Sequence, residues 1–250
     1  MTIGEKIERA RADIDAVYNS GTEKGKQEEY DKFWDAYQQN GKRTDYKMGF
    51  SGYGWTEAVF YPKYDIVVKN STSMFQQCAF VGNLKERLEE CGVELRIETA
   101  GVSNTFVDCG YVTELPLIDL SRANYIATTF SNMQRLVTLP LILPTANQVN
   151  WNNTFHSCKA LTNLTLTGKI YERTGVALNL SWSKLLSKAS IINVIECLDT
   201  SVVNQYITLS QTAVNNAFET SSGAADGSTS AEWNALIATR ANWTINLLDS

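Results

Sequence analysis

The stretches TFVDCGYVTELPL (residues 105–117), TFSNMQRLVTLPL (residues 129–141) and TFHSCKALTNLTL (residues 154–166) decide the fold of this chain. In each copy a phenylalanine is followed by apolar residues at offsets of 3, 6, 9 and 11 positions. The phenylalanines recur every 24 or 25 residues, a period typical of repeat proteins. The three copies therefore predict a short stacked array, in which each copy buries its apolar side against its neighbours.

Each copy ends in Leu-x-Leu, the alternation of a short strand with one buried face. We expect both leucines to point inward in every copy, as Leu115 and Leu117, Leu139 and Leu141, and Leu164 and Leu166. The other positions then point outward in three rows, which are the candidate ligand contacts: Glu114, Thr138 and Asn163; Pro116, Pro140 and Thr165; Ile118, Ile142 and Thr167. The prolines lack an amide hydrogen, so the strands should be short or irregular there.

Segments on both sides of the regular copies predict caps, because the ends of a stack must cover its core. Before them, Phe75 and Cys78 begin a degenerate copy, followed by a helix over KERLEECG (85–92) and a strand in VELRIE (93–98). After them, SKASIINVIECLD (187–199) predicts an amphipathic helix. Its apolar side would consist of Ile191, Ile192, Val194, Ile195 and Leu198. A strand in QYITLS (205–210) and a helical turn in QTAVNNAF (211–218) complete this C-terminal cap.

The first residues carry a short heptad seam, with apolar side chains alternately four and three positions apart: Ile3, Ile7, Ala10, Ile14 and Val17. β-Branched residues at both seam positions favour a trimeric coiled coil. A single amphipathic helix folded against its own domain also fits so short a seam. Because this N-terminus is charged and heptad-patterned, it does not have the pattern of a signal peptide.

A second helix is predicted over KQEEYDKFWDAYQQN (26–40), after interruptions at Gly21 and Gly25 and before Gly41. Its aromatic residues are spaced to share one face: Tyr30, Phe33, Trp34 and Tyr37. Such a face is more typical of a core or docking surface than of a sugar site. We expect it to pack on an N-terminal cap formed by residues 49–68.

These patterns divide the chain into three segments of an α/β protein. Residues 1–45 form a helical anchor or oligomerisation segment. Residues 46–218 form the repeat domain with its modified caps, and its regular copies cover about residues 103–170. Residues 219–250 contain a flexible, exposed loop, SSGAADGSTS (221–230), and then a helix and a strand.

The repeated TFxxC motif with its L-x-L ending resembles the BspA-like class of leucine-rich repeats, found in surface and adhesion proteins of gut and oral bacteria. FWDAYQQNGKRTDYKMGFSGYGW (33–55) and QTAVNNAF (211–218) resemble segments that accompany such repeats in proteins of gut phages and prophages. The resemblance covers roughly residues 28–245. It implies a short leucine-rich-repeat solenoid in a virion or fibre protein that attaches to bacteria.

Composition argues against several classes of function. The net charge is −5 and no basic cluster is present, which argues against nucleic acid as the main partner. No apolar run is long enough for a membrane span. The lone His156 has no metal-ligand partner at a suitable spacing and should be a solvent-facing turn residue. Cys78, Cys109 and Cys158 occupy one repeat position and should be free core residues. We therefore expect no catalytic residues, no metal and no cofactor.

The leading hypothesis is a non-enzymatic bacteriophage virion protein that displays its repeats toward a bacterial surface glycan or protein.

 It would assemble as a homotrimer, contact other virion proteins through its N-terminal helices, and be localised in the virion. Two alternatives remain open at this point: a bacterial cell-surface BspA-like adhesin, and a purely structural virion decoration protein.

Overall fold

The computed structural model describes residues 23–52, 60–78, 82–146, 148–171, 177–219 and 227–250. Five α-helices occur in these residues: α1 (Glu23–Tyr37), α2 (Leu84–Cys91), α3 (Lys188–Cys197), α4 (Gln211–Ala217) and α5 (Ala231–Ala238). A short 3₁₀ helix covers Gly227–Thr229. The first strands are β1 (Ile66–Val68), β2 (Gly82–Asn83), β3 (Leu95–Ile97), β4 (Val112–Glu114) and β5 (Ile118–Asp119). The remaining strands are β6 (Thr138–Ile142), β7 (Asn163–Thr167), β8 (Asn179–Leu180), β9 (Gln205–Leu209) and β10 (Trp243–Leu247).

All the pairings between these strands are parallel, and they form three small sheets. β1 pairs with β3, and β9 lies between β8 and β10. The sheet of the repeats joins β2, β4, β6 and β5, with β7 also paired to β6. The described residues therefore combine helices with small parallel sheets.

The second and third copies follow the predicted alternation in every residue of their strands. β6 and β7 pair without a shift from Thr138 with Asn163 to Ile142 with Thr167. Leu139, Leu141, Leu164 and Leu166 are all buried, and the residues between them are not. The inward positions predicted for these two copies are therefore confirmed.

The first copy departs from the prediction at its Leu-x-Leu ending. Glu114 pairs with Thr138, but Ile118 pairs with Leu141, so this copy has one extra residue between the two pairs. Because side chains alternate along a strand, one extra residue reverses which side chains are buried. Leu117 is 53% exposed and Ile118 only 1% exposed. The predictions that Leu117 points inward and Ile118 outward are wrong.

A stack of phenylalanine rings runs through the core, from the N-terminal part of the chain through all three copies. Its members are Phe50, Phe75, Phe106, Phe130 and Phe155, with successive ring centroids 5.0, 5.2, 5.7 and 5.6 Å apart. Each ring lies within 20° of parallel to the next. The degenerate copy at Phe75 therefore continues the array, and Phe50 extends it by one ring that the repeat pattern did not predict.

Helix α1 covers one end of this stack with its aromatic face. Trp34 is 1% exposed and packs edge-on against Phe60, with ring centroids 5.7 Å apart. Tyr37 lies against Phe50 at 5.5 Å. The predicted packing of this aromatic face is confirmed for the described side chains. The expected interruption at Gly25 is wrong, because α1 begins at Glu23.

The heptad seam of Ile3, Ile7, Ala10, Ile14 and Val17 lies outside the described residues. Its oligomeric state therefore stays a prediction. The described part of the anchor segment, in contrast, is joined to the repeat segment through the buried contacts of Trp34.

The predicted helices and strands of the two caps are confirmed. α2 ends at Cys91 and is followed by Gly92, whose backbone is left-handed, and β3 lies within VELRIE. α3 begins after Ser187, whose side chain accepts a hydrogen bond from the amide of Ser190. β9, α4, α5 and β10 lie where the sequence predicted them.

The C-terminal segment is part of the same packed structure as the repeat segment. β10 pairs with all five residues of β9, from Trp243 with Gln205 to Leu247 with Leu209. Gly227 and Ser230 are buried, so the expectation of an exposed loop is wrong for these two residues. Residues 221–226 of that loop lie outside the described residues.

Candidate ligand-binding face

The outward side chains of β6 and β7 lie in register, as required for a shared surface. Thr138 pairs with Asn163, Pro140 with Thr165, and Ile142 with Thr167. Asn163, Thr165 and Thr167 are exposed, whereas their partners on β6 are half-buried. The most accessible part of this face is therefore the side-chain row of β7.

Only one of the three candidate residues from the first copy aligns as predicted. Glu114 pairs with Thr138 and joins the first row. Pro116 lies in the irregular stretch between β4 and β5, where no strand pairing aligns it with Pro140. Ile118 is buried, and Asp119 instead pairs with Ile142 in the third row. The third row therefore contains the exposed carboxylate of Asp119 where the apolar side chain of Ile118 was expected.

The carboxylate of Glu114 is already held by neighbouring side chains. Its Oε1 lies 3.1 Å from Nζ of Lys85, and its Oε2 accepts a hydrogen bond of 3.0 Å from Asn83. The hydrogen bond from Lys85 to Glu114 raises the pKa of the lysine above its usual value. Glu114 therefore contributes a paired charge at the margin of the face.

Helix α3 closes the free edge of β7 with side chains in place of another strand. The hydroxyl of Ser190 accepts from the amide of Leu164 at 2.9 Å and donates to the carbonyl of Thr162 at 3.0 Å. Asn193 accepts from the amide of Leu166 at 2.6 Å and donates to its carbonyl at 3.1 Å. These bonds satisfy backbone groups that would otherwise invite pairing with another chain. The outward face of β7 stays open while its edge is sealed.

Buried threonines connect the copies on the turn side of the array. Thr105, Thr129 and Thr154 each precede a stacked phenylalanine and are at most 1% exposed. The hydroxyl of Thr129 lies 2.7 Å from the carbonyl of Ile126 and 2.9 Å from that of Val102 in the preceding copy. In the sequence, these threonines are marked only by the recurring Thr-Phe dipeptide. The spacing of that dipeptide does not show that the threonine hydroxyl is buried.

Polar side chains also form hydrogen bonds between the turns of neighbouring copies. Asn132 donates to the carboxylate of Asp108 at 2.7 Å, and Thr128 donates to Asn104. These four residues have positive φ, a conformation that Asn and Asp tolerate better than most residues. This ordered polar surface was not predicted from the sequence, where only the strand residues were candidate ligand contacts.

The cysteines and the histidine lie where the sequence predicted them. Cys109 and Cys158 are buried, and their thiols lie 2.8 and 3.1 Å from the carbonyls of Phe75 and Phe130. Burial raises the pKa of the Cys158 thiol to about 12. His156 is exposed and packs edge-on against Trp182, with ring centroids 4.9 Å apart.

Within the described residues, no cluster of three or more His, Cys, Asp or Glu side chains could hold a metal ion. No described helix has the length and apolar character needed to cross a membrane. Comparisons of the chain with protein-family profiles, with curated proteins and with solved structures find no match.

Proposed function

We propose that this chain is a non-enzymatic bacteriophage virion protein that binds the bacterial host surface through a leucine-rich-repeat module. The observation that carries the binding role is the register between β6 and β7, which aligns three pairs of outward side chains. Repeats stacked in this way present an extended surface, which is typical of recognition modules.

Three features support a short leucine-rich-repeat solenoid with modified caps. The apolar positions of the copies are buried, their phenylalanines stack, and their strands pair in parallel. Helix α1 covers the N-terminal end through Trp34, and α3 covers the C-terminal end through Ser190 and Asn193.

The chemistry of the exposed row favours a ligand that is recognised by hydrogen bonds and shape. Asn163 offers an amide, and Thr165 and Thr167 offer hydroxyl groups, so none of the three carries a charge. Such groups donate and accept hydrogen bonds with sugar hydroxyls or with a polypeptide backbone. A surface glycan or protein of the host is the proposed partner.

The virion assignment rests on the resemblance of residues 28–245 to repeat proteins of gut phages. It is tested by immunogold electron microscopy of phage particles with antibodies against this chain. Labelling of a fibre, tail or head supports the assignment, and unlabelled particles contradict it. Labelling of intact bacterial cells without phage would instead support the adhesin.

Binding is tested separately with the purified full chain and intact gut and oral bacteria. Asn163→Arg together with Thr165→Arg should abolish attachment, because two bulky charges would occupy the exposed row of β7. Lys42→Glu with Lys69→Glu provides a control at exposed positions of the N-terminal segment. If the unaltered chain binds no bacteria while particles are labelled, the structural decoration role replaces the proposed one.

The proposed trimer is tested by native mass spectrometry of the full chain. Ile7→Asn with Ile14→Asn should convert a trimer into a monomer, because buried asparagines weaken an apolar seam. A trimeric mass that survives both substitutions would place the subunit contacts elsewhere.

A further inference from the structure

Two aromatic residues and two cations lie on four chain segments beside the strands and form two cation–π pairs. They are Tyr111, Arg135, Lys159 and Trp182, here called the cationic–aromatic strip. Arg135 and Lys159 are exposed, and Tyr111 is 49% exposed. The strip is separate from the outward rows, because all four residues lie outside the strands.

Backbone hydrogen bonds place Tyr111 beside Arg135. The amide of Asp108 donates to Ser131 at 3.0 Å, and the amide of Val137 donates to Thr113 at 2.8 Å. The segments between these bonds, residues 108–113 and 131–137, run alongside one another. Accordingly, the guanidinium carbon of Arg135 lies 5.1 Å from the centroid of the Tyr111 ring.

Similar bonds place the next two segments side by side. The amide of Asn132 donates to His156 at 2.7 Å, and that of Thr162 donates to Val137 at 3.0 Å. Arg135 is thereby diagonal to Lys159 on the adjacent copy. The ammonium of Lys159 lies 5.4 Å from the ring centroid of Trp182.

The positive charges of the strip lack nearby carboxylates in the part of the chain that the structure describes. No carboxylate lies within 4.0 Å of Arg135 or Lys159 there, in contrast to Lys63, Lys85 and Lys188. Like charges on adjacent segments repel one another. A bound anion would remove this repulsion, whereas the chain as a whole has a net charge of −5.

Three further titratable residues lie on the segments of the strip without neutralising it: Asp108, Lys184, and His156, whose ring packs edge-on against Trp182. Asp108 accepts the side-chain hydrogen bond of Asn132, one copy away from Lys159. Lys184 follows Trp182 and lies toward Asp249, whose carboxylate accepts from Ser210 and Thr212. Arg135 and Lys159 therefore remain the unbalanced charges.

We infer that the cationic–aromatic strip binds an acidic polysaccharide, an inference that rests on the proposed host-surface binding. Arg135 and Lys159 would hold acidic groups of the polymer, and the rings of Tyr111 and Trp182 would pack against its sugar faces. The cation–π contacts hold both cations beside the rings before the ligand arrives. This assigns the ligand class and adds a second contact surface beside the strand rows.

An acidic polysaccharide fits the strip better than a nucleic acid does. Nucleic acids carry a phosphate on every nucleotide, and their binding relies on many cations along one surface. The strip offers two unbalanced cations between two rings, on a chain that is acidic overall. A polymer of acidic sugars offers both carboxylates for the two cations and sugar faces for the two rings.

The test measures binding of the full chain to polygalacturonate, with neutral dextran and a single-stranded DNA oligonucleotide as comparison ligands. Isothermal titration calorimetry at two salt concentrations gives the affinity and shows how strongly that affinity depends on salt. Arg135→Gln with Lys159→Gln should weaken polygalacturonate binding at least tenfold and reduce its salt dependence. Lys42→Gln with Lys69→Gln removes the same total charge at exposed sites and should leave the affinity unchanged.

Thermal unfolding of each variant verifies that it is folded, and Tyr111→Ser tests the aromatic part through a smaller loss of affinity. The inference is overturned if polygalacturonate does not bind, if DNA binds more tightly, or if both double variants lose affinity equally. Attachment to bacterial cells distinguishes the two proposals. Cell binding that is unaffected by Arg135→Gln with Lys159→Gln refutes the strip alone, whereas failure of the unaltered chain to bind cells refutes the proposed function.

Discussion

The hydroxyl of Thr129 connects two copies of the repeat from within the core. It lies within hydrogen-bonding distance of the carbonyls of Ile126 and Val102. Thr129→Val keeps the shape of the side chain but removes this donor, so we expect a loss of about 1 kcal/mol in the free energy of unfolding. Urea unfolding followed by circular dichroism measures the change.

Thr165→Val is the matched control, because Thr165 is exposed on β7. Its effect should stay within about 0.5 kcal/mol, as for most surface substitutions. Equal losses for the two variants would show that the buried hydroxyl contributes nothing specific.

The buried thiol of Cys158 should resist alkylation in the folded protein. Since burial raises its pKa to about 12, almost no reactive thiolate exists near neutral pH. Cys91 is only half-buried and should react first with iodoacetamide, although burial also raises its pKa. Mass spectrometry of labelled peptides gives the order, which should disappear in urea. Labelling of Cys158 before Cys91 would contradict the packing described.

At the scale of elements, Asn193 is one of the two residues through which helix α3 closes the edge of the repeat sheet. Asn193→Ala removes the acceptor for the amide of Leu166 and the donor to its carbonyl. We expect a loss of about 1–3 kcal/mol in unfolding free energy, because partly buried backbone groups lose their partners. Hydrogen exchange at the Leu166 amide should become faster. Asn216→Ala, at an exposed position of α4, should change neither quantity appreciably.

The irregular stretch between β4 and β5 shows that a constant repeat spacing does not always predict which side chains are buried. The first copy has the same offsets from Phe106 to Leu117 as the other copies have from their phenylalanines. Its pairing with β6 nevertheless includes one extra residue, which buries Ile118 and exposes Leu117. Both residues are apolar, so hydropathy could not distinguish them. The pairing with β6 determines that Ile118 is the buried residue of the two.

At the scale of the whole molecule, close packing at Gly227 holds the C-terminal segment against α4. A β-carbon there would lie 2.5 Å from the carbonyl oxygen of Asn215 and 2.7 Å from that of Val214. Gly227→Ala should therefore cost about 1–3 kcal/mol, because the backbone must shift to accept the methyl group. Chemical denaturation measures the effect.

Gly101→Ala serves as the control, since no heavy atom lies within 4 Å of the position a β-carbon would occupy. It should leave stability unchanged or raise it slightly, because alanine restricts the unfolded chain. A Gly227→Ala variant as stable as the unaltered protein would mean that the C-terminal segment is not held closely against α4.

The sequence by itself determined which repeated positions form the core. The apolar residues at offsets of 3, 6 and 9 positions after Phe106, Phe130 and Phe155 are buried in all three copies, as a stack of these copies requires. The same local patterns determined the helices and strands of the caps, because their periodicity and capping residues act over a few positions.

Only the tertiary structure decided how these elements are joined and which surfaces remain open. Ser190 and Asn193 seal the edge of β7 from a distance of about 26 residues along the chain, and β10 extends the sheet of β9. The cationic–aromatic strip likewise draws on four separate segments. Strand register, edge closure and side-chain neighbours depend on contacts between residues far apart in sequence, and local periodicity does not specify them.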